Sequence, residues 1–184
     1  MNWEEEIAQG CRRGERKAQR QLYETYAPYL MGVCMRYVCD KDYAQDLLHD
    51  GFLHVLTHIS QFQYQGQGSL KAWLLQVQRN VILKFLRKKD LLSDSVSMDV
   101  QPGIVANEPD PEEVKDISQK DLFRLIAQLP VGYRTVFNLY AIEGHSHKEI
   151  AKMLGISEKT SSSQLVNARR LLSIKIKSWR KENL

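Results

Sequence analysis

The chain of 184 residues lacks any apolar run long enough to cross a bilayer; its longest, such as residues 122–129, are short and interrupted. Its first ten residues hold no apolar run either. Residues 1–10 are acidic, so no secretory signal is expected and the cytoplasm is the expected location. Cysteine is scarce and odd in number, at Cys11, Cys34 and Cys39, with no C-x-x-C pair. That excludes a disulfide framework and a zinc knuckle and leaves reduced thiols. There is no glycine-rich phosphate loop, no G-x-S-x-G elbow and no H-E-x-x-H. The nearest approach to a metal-binding face is Asp50, His54 and His58, spaced four residues apart and starting in a His49-Asp50 dyad. No further His/Asp cluster accompanies them, so no metal, cofactor or enzymatic activity is expected.

What the chain does have is unevenly placed charge. Residues 1–89 carry 13 Lys+Arg against 9 Asp+Glu, residues 90–121 carry 2 against 9, and residues 145–184 carry 9 against 3. Two basic blocks, net +4 and +6, therefore flank an acidic one of −7. Basic blocks favour phosphate backbones, with much of the free energy coming from released counterions. An acidic tether between them repels nucleic acid and stays extended.

Hydrophobic periodicity predicts helix almost throughout, with no internal repeat and no strand-like alternation. Leu22, Tyr26, Tyr29, Leu30, Val33 and Tyr37 share a face, and Pro28 is expected in the first turn of a new helix. Asp40 is a fitting cap for a helix carrying Tyr43, Leu47, Leu48, Phe52, Val55 and Leu56. Residues 61–68, with two glycines and alternating aromatics, predict a loop. Ser69 is then expected to cap a helix to about Lys88 with Trp73, Leu74, Val77, Val81 and Phe85 inward. The pattern vanishes over residues 92–108, which predicts a flexible linker. Asp110, Pro111, Glu112 and Glu113 restart a helix expected to run to Gln128 and stop at Pro130. The fold class expected is all-α: two small helical domains, 1–89 and 111–184, joined by a flexible acidic linker, 90–110.

The sharpest motif is near the C-terminus. Ser146 and Glu149 have capping-box spacing, Ile150, Ala151 and Leu154 form an inner face, and Gly155 stands where a left-handed turn is needed. Ser157 then caps a second helix expected over residues 158–177. Together these predict a helix-turn-helix with a small residue, Ala151, at the crossing. Lys159, Thr160, Ser162, Ser163, Gln164 and Asn167 are expected on the exposed side, short enough to enter a major groove, with Gln164 and Asn167 suited to adenine edges. Arg169, Arg170, Lys175 and Lys177 would mainly hold phosphates. A hairpin packed for structure alone would not need so basic a second helix. In the N-terminal half, Phe62 and Tyr64 lie in a loop close to Arg79, Asn80 and the basic run 87–89. Aromatics that stack and cations that hold a backbone suit single-stranded bases; the alternative for aromatics beside glycines is a loop anchor packed on its own domain.

In its motifs Asp46-Leu47-Leu48-His49-Asp50-Gly51-Phe52, Trp73-Leu74 and Arg79-Asn80, the N-terminal half resembles region 2 of the extracytoplasmic-function (ECF) sigma factors of RNA polymerase. The C-terminal half resembles region 4 in Leu129-Pro130, Arg134, Phe137, Glu143-Gly144, the run 149–157, Gln164-Leu165 and Ala168-Arg169. That resemblance implies a sigma factor that binds core polymerase and directs promoter recognition and initiation for a stress or envelope-signal regulon. Asp46, His49, Asp50 and Phe52 would dock on the β′ clamp helices. Phe62, Tyr64, Lys71, Asn80, Lys84 and Arg87 would read the melted −10 element. Lys148 and the second helix of the helix-turn-helix would bind the −35 element. It also implies contact with the β flap and, as in many members, an anti-sigma factor, with no membrane insertion by the chain itself. Five residues depart from the family pattern: Lys159 and Ser162 stand where it often has glycine and lysine, and Lys84 where it often has an acid. Ser161 replaces an apolar residue, which predicts looser packing of the second helix, and Gln78 replaces an alanine. The rival reading is a stand-alone helix-turn-helix regulator that binds an operator without polymerase.

Overall fold

Side chains, more than propensity, decide where these helices begin and end. The computed structural model describes residues 2–89, 92 and 114–183, and among them all regular secondary structure is helical. The chain divides into two compact units, Met1–Phe85 and Leu86–Leu184. No helix among the described residues is long and apolar enough to cross a membrane.

The first unit opens with a helix that periodicity did not flag. In α1 (Trp3–Arg12) the Asn2 side chain accepts the amide of Glu4 at 3.0 Å. Helix α2 (Arg16–Val38) runs unbroken through Pro28, correcting the expected break. Pro28 is on the exposed side, where one missing backbone hydrogen bond costs least. Helix α3 (Lys41–His58) starts where expected, with Asp40 accepting the Tyr43 amide at 2.9 Å. A 3-10 turn (Ile59–Gln61) and the loop at residues 62–68 lead into α4 (Ser69–Lys88).

Two expectations for α4 are corrected. Ser69 does not cap it: the Ser69 hydroxyl donates back to the Gly66 carbonyl, while the Gly68 amide donates to the Glu4 carboxylate from α1. The inner stripe of α4 centres on Leu70, Leu74, Gln78 and Ile82; Trp73, Val77, Val81 and Phe85 lie half-buried at its edges. The polar residue at its centre has a reason. Gln78 Nε2 donates to the Leu47 carbonyl at 2.7 Å and to Cys34 Sγ at 3.2 Å, and a Cβ on Gly51 would stand 1.9 Å from Gln78 Oε1. The glycine in α3 makes room for the glutamine in α4. Burial pushes the Cys34 thiol up to about 12, and Cys11 to about 11, so both stay neutral and unreactive.

In the second unit the expected single helix from residue 110 to Gln128 is not continuous. Residues 110–113 lie outside the described residues, as does the expected linker apart from Leu92, and residues 115–118 turn before α5 (Gln119–Ala127) begins. The Ser118 hydroxyl caps α5 by accepting the Asp121 amide at 3.1 Å. Arg134, buried in α6 (Val131–Phe137), closes the far end by donating to the Ala127 and Leu129 carbonyls at 2.7 and 3.0 Å. A π-helical turn (Asn138–Ile142) follows, then α7 (His147–Leu154) and α8 (Glu158–Asn183). Ile117, Leu125, Ile126, Leu129 and Tyr133 pack on Ala168, Leu172 and Ile176 of α8. This core leaves the N-terminal half of α8 to meet α7.

Candidate nucleic-acid interface

Helices α7 and α8 make the turn that the motif required. Ser146 and Glu149 form a full capping box, Gly155 is left-handed at φ 70°, and its amide closes on the Ala151 carbonyl at 2.9 Å. Ser157 then caps α8 by accepting the Thr160 amide at 2.9 Å. Ser161 is fully buried, and its hydroxyl lies 2.9 Å from His147 Nδ1 across the helix crossing. The polar departure therefore joins the two helices by a hydrogen bond, which corrects the expected loosening. The His147 ring also stacks on Tyr140 from the π-turn, with centroids 4.6 Å apart, and the Arg169 guanidinium covers the same tyrosine. The inner face of α8 is Ser161, Gln164, Leu165 and Ala168; Lys159, Ser162, Ser163 and Val166 form the exposed one.

In the first unit, α3 turns one acidic face outward. Asp42, Asp46, His49 and Asp50 are exposed on it, and Leu53, 65% exposed, follows them on the same face. On α4, Asn80, Lys84 and Arg87 are exposed and share a face through spacings of four and three. The loop before α4 is anchored by Phe62, whose buried ring lies 5.5 Å from that of Trp73, while Tyr64 stays half-exposed.

Two family matches cover these same elements: Sigma-70 region 2 over residues 22–91 and Sigma-70, region 4 over residues 119–172. The chain is 28% identical to the ECF RNA polymerase sigma factor SigM of Bacillus subtilis (strain 168) over 155 residues, spanning 83% of this chain and 91% of SigM. It is 30% identical to SigX of the same organism over 142 residues, spanning 74% of this chain and 72% of SigX. This chain belongs to the ECF family of RNA polymerase sigma factors. Its fold is similar to that of the sigma factor RpoE of Bartonella quintana, crystallised with the anti-sigma factor NepR, at a TM-score of 0.53 and 23% identity over 86% of this chain and 96% of that one. The sigma factor is thus a transcription initiation factor, and a stand-alone operator-binding regulator is the weaker reading.

Several of the sigma factor's expected site residues stand elsewhere than expected. Gln164 is buried, because it falls on the α8 face that packs inward; it is not a base-edge reader on the exposed side. Phe62 is buried against Trp73 and holds the loop, so its ring is not free to stack on a base. Phe52 is buried with its ring 4.7 Å from that of Tyr23, facing the core rather than a partner. Lys71 is exposed but lies nine residues before Asn80, about half a turn around the helix, and its ammonium sits over the Tyr29 ring. Asp46, His49, Asp50, Tyr64, Asn80, Lys84, Arg87, Lys148, Lys159, Ser162 and Ser163 are accessible, and Thr160, Asn167, Arg169 and Arg170 flank the exposed face of α8 half-buried. Reading by residue type passed over Leu53 and Val166, which look like core. Helical register finds both: Leu53 follows Asp46, His49 and Asp50 on one face, and Val166 falls between Ser162, Ser163 and Arg170.

Proposed function

We propose that this sigma factor binds core polymerase through α3, reads a melted −10 strand with the 62–68 loop and α4, and reads a −35 duplex with α8. The observation that carries the reading is the exposed face of α8. A capped helix-turn-helix presents Lys159, Ser162, Ser163 and Val166 together, without bulky groups that would block entry to a major groove. Lys148, Arg169 and Arg170 flank it and hold phosphates, and Asn167 and Thr160 border it. Tyr64 offers a ring to an unstacked base while Asn80, Lys84 and Arg87 along α4 follow the strand. Asp46, His49 and Asp50 lead along one face of α3 to Leu53, charged residues beside an exposed apolar anchor, as in a protein-binding hot spot. The partners proposed are core polymerase at the β′ clamp helices and β flap, promoter DNA, and an anti-sigma factor, all met in the cytoplasm.

Run-off transcription with core polymerase and a promoter library tests the whole reading: specific initiation is expected, and no initiation on any template would refute it. Leu53→Asp is expected to weaken core binding by roughly 2 kcal/mol, about 30-fold, because it puts a charge into a desolvated anchor position. The exposed site keeps the fold intact, so unchanged affinity for core polymerase would remove α3 from the docking role.

A further inference from the structure

Helix α1 precedes the residues matched as region 2, yet it holds both ends of the loop just assigned to the −10 strand. At the near end, Arg12 donates from Nε to the Ile59 carbonyl at 3.2 Å and from Nη2 to the Phe62 carbonyl. At the far end, the buried Glu4 carboxylate accepts the Gly68 amide at 2.9 Å and lies 3.5 Å from the Leu70 amide. Its other oxygen accepts the Tyr26 hydroxyl at 3.2 Å, which fixes the carboxylate and, with burial as the larger cause, pushes the tyrosine up to about 12. The first turn of α4 contains no acid of its own, so Glu4 supplies the negative charge that its N-terminal dipole attracts. Between these two grips the chain is reversed by Gly66 and Gly68 at φ 111° and 88°, and Gln63, Gln65 and Gln67 remain exposed. A glycine-bearing loop clamped at its ends loses little further entropy when it receives a nucleotide.

We propose that α1 sets the geometry of −10 reading, with Glu4 and Arg12 as positioning residues that fix the loop without touching DNA. The inference rests on the loop's assignment to the −10 strand. Its test uses holoenzyme built with the full chain, and single-stranded oligonucleotides carrying either the promoter's −10 sequence or a scrambled one. The readout is the ratio of the two affinities, because a partly unfolded variant weakens both equally and leaves the ratio unmoved. Glu4→Gln, which loses the charge, and Arg12→Lys, which cannot span both carbonyls, are each expected to lower that ratio by about fivefold or more. Affinity for the −35 duplex and for core polymerase is expected to stay at the wild-type level. Amide exchange at Gly68 and Leu70 should quicken in Glu4→Gln. A variant that keeps the wild-type ratio, or loses it only in parallel with core binding, overturns the proposal. A wild-type holoenzyme with no discrimination overturns the loop's assignment and, with it, the role of α1.

Discussion

Val166 is an apolar side chain left 60% exposed between two serines, on the face of α8 turned away from the core. In a major groove the natural partner for such a group is the thymine methyl, the only apolar feature a base pair offers there. Truncation removes two methyl groups, so Val166→Ala is expected to weaken −35 binding by about 1 kcal/mol, or about fivefold. The decisive form of the measurement replaces each thymine of the −35 element singly by deoxyuridine, which deletes the methyl alone. At the contacted position wild type should lose affinity and Val166→Ala should lose no more. Equal sensitivity of both proteins at every position would show that Val166 reads no methyl. The same residue explains why Gln164 misled. Glutamine is a good adenine reader by chemistry, but it sits one turn before Ala168 on the packed face, and register overrules residue type.

At the scale of elements, the pair Gly51 and Gln78 shows how α3 and α4 came to share a polar core. An alanine in mid-helix usually stabilises by about 1 kcal/mol over glycine. Here its methyl would meet Gln78 Oε1, which has no hydrogen-bond partner among the described residues, and Cδ at 2.6 Å. Gly51→Ala is therefore expected to destabilise the chain by roughly 1–3 kcal/mol, as overpacking does. Adding Gln78→Ala should recover at least about 1 kcal/mol of that, a coupling that urea midpoints of the two singles and the double would reveal. Additive losses would mean that the two residues do not compete for the same space. The pair also marks the limit of what the chain discloses locally. The helix-turn-helix was legible because its box, glycine and caps lie within twelve residues, and the caps at Asp40 and Ser157 were legible for the same reason. The cap on α4 was not, since Glu4 stands 64 residues before Gly68 in the chain. Nor was the continuity of α2 through Pro28, which depends on the proline facing outward. The break before α5 followed from Ser118, an ordinary serine until its hydroxyl is seen to take the Asp121 amide. The site divided along the same line: Lys159, Ser162 and Ser163 are exposed as expected and Thr160 and Asn167 only in part, whereas Phe52, Phe62 and Gln164 are buried because only packing decides which way they point.

At the scale of the whole molecule, the uneven charge is expected to govern how the free sigma factor meets random DNA. The basic blocks at residues 1–89 and 145–184 carry net +4 and +6, while residues 90–121 between them carry nine acids and two bases, net −7. Because the acids adjoin the first block in the chain and precede the second, repulsion of a bound duplex and competition with phosphates for its cations are expected. Two unit charges 10 Å apart in water interact by about 0.4 kcal/mol, and most of that is lost beyond a Debye length. Converting Asp94, Asp99, Glu108 and Asp110 to their amides therefore removes repulsion worth roughly 1 kcal/mol at low salt, about fivefold in affinity for random duplex. The gain should appear in the free sigma factor, be independent of sequence, and fade toward about 0.5 M salt, where screening shortens the reach of each charge. By contrast, Lys148→Ala is expected to lower affinity on promoter and random DNA alike and to reduce the slope of log K against log salt by about 0.9, one phosphate contact. Affinity of the amide variant that matches wild type at every salt concentration would show that the acidic segment neither shields the basic blocks nor competes for them.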